Sequence, residues 1–163
     1  MGGYGSGRRG WRLTKESCLT LSISYLQTHK ALDGLPRIVY WEYNGETTAS
    51  IGIEPNLEDG IVMLRYQTTV SGEIHPVAQW IHIESTPAYF GGFRYWFLCP
   101  RCSRRCGKVY MPNGGLRFFC RCCLNLTYQS SNDSRKYDTA FKYLAARTGM
   151  TPGDVKRALH GRY

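Results

Sequence analysis

Six of the chain's seven cysteines fall between residues 99 and 123, and their spacing is its strongest chemical signal. Cys99-Pro-Arg-Cys102, seventeen residues, then Cys120-Arg-Cys122-Cys123 reads as C-x2-C-x17-C-x2-C, the pattern of a four-thiolate zinc site. Two residues between ligands let the backbone curl round a metal as a knuckle, and the intervening segment must return to the same point. "KVYM", "PNGG" and "LRFF", residues 108–119, read as a hairpin of suitable length. Four thiolates leave no open coordination position, so a single zinc here would be structural, contributing folding free energy and activating no water. Cys106 and Cys122 are surplus. Cys106 can exchange with Cys102, and Cys122 with Cys123; the symmetric spacing is preferred because it gives two equivalent knuckles. Cys99, Cys102, Cys120 and Cys123 are the ligands expected on that ground.

Cations crowd the same stretch. Arg101, Arg104, Arg105, Lys108, Arg117 and Arg121 exceed what the surplus negative charge of a zinc tetrathiolate needs, so part of this basic surface is expected to meet an outside anion. Tyr110, Phe118 and Phe119 offer stacking surfaces or, alternatively, the ribbon's own small core. The net charge of +9 is uneven: residues 1–36 carry +3, residues 37–98 carry −4 and residues 99–163 carry +10. A basic C-terminal third suits a phosphate-binding surface.

The elements that must position these residues follow from pattern. "MGGYGSGRRGWR" lacks apolar periodicity and reads, with the residues up to 18, as a flexible basic arm whose Arg8 and Arg9 reach phosphates while Tyr4 or Trp11 stacks on a base. Leu19, Ile23, Leu26 and Ala31/Leu32 recur at helical spacing, which predicts one short helix near 22–32. From residue 36 to 98, "RIVYWEYN", "TTASIGIE", "IVMLRYQTTV", "EIHPVAQWIHIE" and "FRYWFL" are β-rich and separated by turn residues such as Asn44-Gly45 and Ser71-Gly72. Short strands with tight turns predict an antiparallel meander. In "IVMLRYQTTV" neither alternating set is cleanly polar, which predicts a sheet covered on both faces. His75 and His82, seven apart on one strand, should face opposite ways and share no metal.

Residues 131–163 predict two helices. Tyr137, Ala140, Phe141, Leu144, Ala145 and Thr148 form a helical stripe that stops at Gly149, and Thr151-Pro-Gly-Asp154 restarts a helix with an N-cap and a capping box. Ala145, Gly149 and Val155 have the spacing of a helix-turn-helix, in which Lys156 and Arg157 would contact DNA; two helices that merely pack on the rest of the fold are the alternative. The chain shows no phosphate loop with a following Lys, no nucleophile elbow and no His-rich metalloprotease helix, so no enzyme is expected. With no signal-peptide pattern and no apolar run of membrane length, a reducing cytoplasm is the expected compartment.

The opening "GGYGSGR", "FGGFRYWF" followed by "CPRC", and "CRCCLNLTYQS" together resemble a group of small zinc-ribbon proteins of bacteria and their phages, from the N-terminus to about Ser131. The resemblance implies ligands at Cys99, Cys102, Cys120 and Cys123 and a mobile-element setting, with Cys106 a departure from the pattern; it implies no activity. The expectation is an α+β protein: an arm over residues 1–18, an antiparallel β domain with one helix over 19–98, a zinc ribbon over 99–130 and a helical tail over 131–163. The expected function is non-enzymatic nucleic-acid binding, DNA before RNA. The competing one is a phage-type inhibitor or adaptor that docks on a host protein machine such as a polymerase or guided nuclease.

Overall fold

A computed structural model describes residues 12–133 and 138–160. The arm with Arg8 and Arg9, and Tyr137 of the tail, lie outside the described residues. The chain is α+β and divides into two compact units, Leu13–Leu126 and one that holds the residues from Thr127 onward.

The first unit contains all the strands among the described residues. A 3-10 turn at Lys15–Ser17 leads into β1 (Cys18–Ser22) and α1 (Ile23–Thr28). There follow β2 (Arg37–Tyr43), β3 (Glu46–Asn56), β4 (Ile61–Val70), β5 (Glu73–Pro87), β6 (Phe93–Leu98), β7 (Arg105–Cys106) and β8 (Lys108–Pro112). Strands β2 to β7 form one antiparallel sheet in sequence order, and β1 pairs with β8 in a second. The meander is the expected one because its turns supply the required backbone: Asn44 and Gly45 (φ 51° and 81°) and Ser71 and Gly72 (φ 51° and 89°) sit in the left-handed region that matches strand twist.

The sheet buries one face. Val39, Ile51, Ile53, Val62, Leu64, Tyr66, Ile81 and Phe97 pack against Leu21, Ile23, Leu26, Val109, Met111 and Phe118 from β1, α1 and the β8 hairpin. The other face carries exposed Ile38, Tyr40 and Trp80, so the expectation of cover on both sides is corrected. Met63 on that face is buried with no second layer of its own, because its rung places it between Glu54 and Trp80. His75 and His82 do alternate: His75 shares the parity of buried Gln79 and Ile81, and His82 the opposite one.

The predicted helix over 22–32 is shorter, and a strand precedes it. Leu19 and Leu21 are taken by pairing with Met111 and Val109, and α1 closes at Thr28 because Lys30 turns left-handed (φ 52°), after which Ala31 and Leu32 are buried from a loop.

The second unit holds α2 (Gln129–Asp133), α3 (Asp138–Thr148) and α4 (Pro152–His160). Gly149 (φ 69°) ends α3. Thr151 caps α4: its Oγ1 accepts from the Asp154 N–H at 3.2 Å and its hydroxyl donates to the Asp154 carboxylate at 2.7 Å. Phe141, Ala145 and Val155 are the buried contact between α3 and α4, as the spacing implied, but Ala140, Leu144 and Thr148 of the stripe are exposed. No helix among the described residues is long and apolar enough to cross a membrane.

Candidate metal centre

Both knuckles close through a backbone bond to the residue four places on, with the left-handed residue one place later in the second. In the first, the Ser103 N–H donates to the Cys99 carbonyl at 2.8 Å and Ser103 takes a left-handed φ of 55°. In the second, the Leu124 N–H donates to the Cys120 carbonyl at 3.2 Å and Asn125 takes a φ of 50°. Each turn folds its two cysteines toward one point. The side chains of Cys99, Cys102, Cys120 and Cys123 meet with their sulfurs all within 4.8 Å of one another. Cys99 and Cys123 are 3.8 Å apart, and Cys102 and Cys120 are 3.7 Å apart. Sulfurs at the corners of a tetrahedron about 2.3 Å from a zinc ion are separated by about 3.8 Å, so the cluster has the dimensions of a tetrathiolate site and could hold a metal ion.

Backbone amides support the sulfurs. The Cys120 N–H donates to Cys99 Sγ at 3.3 Å and the Cys123 N–H to Cys120 Sγ at 3.4 Å. Burial pushes the Cys99 thiol up, but the amides of Cys120, Arg101 and Cys102 outweigh it and bring it down to about 7. Burial, then the crowding of neighbouring sulfurs, pushes Cys123 up. Four sulfurs at this separation give up their protons together only when a cation shares the site.

The surplus thiols stand apart from the cluster. Cys106 lies on β7, packs against the core and points its Sγ at the Phe97 carbonyl at 3.6 Å. Burial foremost, and then the charge of the neighbouring cysteines, raises it to about 12. Cys122 is exposed.

The hairpin between the knuckles differs from the one expected. Strand β8 forms and all of it pairs with β1, while the returning arm pairs with it as a strand only at the Tyr110–Phe119 bridge among the described residues. The next hydrogen-bonded rung would pair Pro112 with Arg117, but Pro112 has no N–H and its carbonyl accepts from the Gly115 N–H at 2.8 Å. The arm's outer edge, away from β8, is held by the large sheet. Gln79, buried on β5, accepts from the Phe118 N–H at 2.8 Å and donates to the Phe118 carbonyl at 2.9 Å, as a neighbouring strand would. The Tyr66 hydroxyl lies 3.0 Å from Gln79 Oε1 and 2.9 Å from the Leu116 carbonyl, and Thr68 donates to the Gly115 carbonyl at 3.0 Å. Gly115 itself must lack a Cβ, which would stand 2.9 Å from the Pro112 carbonyl oxygen. These side chains hold residues 115–118 just ahead of Cys120. Sequence reasoning did not identify them, although Gln79 gave a signal: a polar residue at the inward parity between Val77 and Ile81.

The expected nucleic-acid contacts differ in exposure and pairing. Arg101, Arg104, Lys108 and Arg117 are exposed and make no ion pair among the described residues; Arg121 is exposed too. Arg105 is committed: its Nε donates to Glu84 at 2.7 Å and a second nitrogen binds the other carboxylate oxygen. Glu84 is thereby more than a solvated acid. Of the two cations in the tail, Arg157 is paired with Asp154 at 2.9 Å, and Lys156 lies exposed beside Phe141, Lys142, Pro152 and Gly153. Phe118 and Tyr110 are buried and Phe119 is half-buried, so the ribbon aromatics serve largely as core.

No family model, no curated protein and no solved structure matches this chain. Fold and site together define an α+β protein with a four-cysteine cluster fit for a metal ion.

Proposed function

We propose that the cluster holds a single structural zinc ion and that the protein is a non-enzymatic nucleic-acid-binding protein, DNA before RNA, in a regulatory or mobile-element setting. The observation that carries this reading is the group of exposed cations, Arg101, Arg104, Lys108 and Arg117, on and between the two knuckles and outside any ion pair among the described residues. The metal would fix the backbone from which those side chains project, so less of their entropy is lost on meeting phosphates. The setting follows from the sequence resemblance.

Binding to duplex and single-stranded oligonucleotides across a salt series tests the function. The logarithm of affinity should fall linearly with the logarithm of salt, by about 0.9 per phosphate contact on duplex and about 0.7 on single strands. A folded, zinc-loaded protein that binds neither at low salt contradicts it. A second reading, a protein-docking adaptor, draws support from the β5–β6 turn, where Tyr89 and Phe90 are each 96% exposed.

A further inference from the structure

The hairpins β2–β3 and β4–β5 share only the rungs from Gly52–Arg65 to Asn56–Ile61. Past the Gly52–Arg65 rung the two strands part, although β3 stays paired with β2 back to Glu46 and β4 stays paired with β5 out to Val70. Residues 46–51 and 66–70 therefore turn one edge each toward the gap, and alternate N–H and C=O groups along both edges lack a strand partner among the described residues. The gap is a cleft of about 720 Å³, floored by the Leu19–Met111 rung of the β1–β8 pair.

The cleft is built into the fold. Trp41 Nε1 donates to the Thr20 carbonyl at 3.1 Å, pinning the first hairpin to β1. The second is pinned separately, through Tyr66, Thr68 and Gln79, to residues 115–118. The packed layer beneath thus sets the separation of the two hairpins.

We infer that this cleft is a docking site for an extended peptide segment of a partner protein, which adds as a strand between β3 and β4. A row of alternating donors and acceptors is matched along its length only by another backbone, and here two such rows face one space. Side chains of the incoming strand alternate. Those turned inward meet Leu19, Ile51, Val77 and Met111, and those turned outward meet Ser50 and Gln67. Arg65 at the closed end is already held by Glu54 at 2.7 Å, so the mouth offers a neutral lining there. The partner segment is accordingly uncharged, apolar at every second position and polar between, and about five residues long, or about 17 Å at about 3.4 Å per residue. This site is separate from the exposed cations and does not depend on nucleic-acid binding.

The test pans a phage-displayed library of random linear peptides on the zinc-loaded full chain. The best binder is then synthesised unmodified and N-methylated at alternate amides, in each of the two registers. The unmodified peptide should slow amide hydrogen exchange of residues 46–51 and 66–70, and either methylation should weaken it about tenfold or more. Ser50→Trp, an exposed change at the mouth, should weaken binding by a similar factor while core amides exchange as before. A library that yields no binder, protection elsewhere on the chain, or indifference to methylation overturns the proposal. So does a concentration-dependent dimer that protects the same amides without peptide, which would assign the cleft to a second copy.

Discussion

Replacing Gln79 by Met isolates the contact that ties the sheet to the metal-bearing hairpin. Gln79 is 2% exposed, and Met fills similar volume, so little cavity is created. What goes is the amide that satisfies both backbone groups of Phe118. The Tyr66 hydroxyl keeps the Leu116 carbonyl and is not stranded. Two buried backbone groups left unpaired at about 1–3 kcal/mol each predict a loss of about 2–6 kcal/mol. For a chain of 163 residues, at about 2–4 °C per kcal/mol, that corresponds to a Tm drop of about 4–24 °C. Denaturant unfolding of the metal-loaded protein, followed by circular dichroism, measures the loss, and a chelator time course measures metal release, which should quicken because Phe118 lies two residues before Cys120. A loss below about 1 kcal/mol at an unchanged m value would refute the argument that Gln79 stands in for a neighbouring strand along the outer edge of the returning arm.

Three further outcomes are expected. Cys106→Ser and Cys122→Ser should retain full metal content by elemental analysis, since neither sulfur belongs to the cluster; loss of metal in either would mean a different ligand set. Arg104→Ala should make the salt dependence of nucleic-acid binding shallower and Arg105→Ala should change it less, because Arg105 is already engaged by Glu84; equal effects would show that the ion pair opens on binding. The Arg105 hydrogen bonds hold Glu84 below its ordinary value of 4.5, so the pair's stabilisation is fully present above that value and is lost as pH falls through the lowered one. Glu84→Gln should therefore lower stability at neutral pH and converge with the unsubstituted protein in acid, as urea midpoints at several pH values would show.

The meander and the knuckles were legible because their signals are local. Asn44-Gly45 and Ser71-Gly72 demand hairpin turns wherever they stand between β-branched runs, and a pair of cysteines with two residues between them needs only its own turn to form a knuckle. The choice of Cys123 over Cys122 also followed from local symmetry, and the cluster geometry agrees with it. What escaped was long-range. Cys18–Ser22 carries apolar residues at positions compatible with a helix, and only the arrival of β8 makes it a strand. The hold on the outer edge of the returning arm comes from Gln79, 39 residues from its partner Phe118. The split between β3 and β4 left no mark in the alternation of either strand, since past it β3 stays paired with β2, apart from a bulge at Thr48, and β4 with β5.

Cobalt substitution tests the central claim most directly. Protein freed of metal and titrated with Co²⁺ should take up a single ion per chain, with the intense visible absorption of a tetrahedral site and the sulfur charge-transfer bands of thiolate ligands, and zinc should displace it. Cys99→Ser, Cys102→Ser, Cys120→Ser and Cys123→Ser should each weaken those bands. The weak absorption of an octahedral ion, or a spectrum that survives serine at two of these positions, would contradict a tetrathiolate centre.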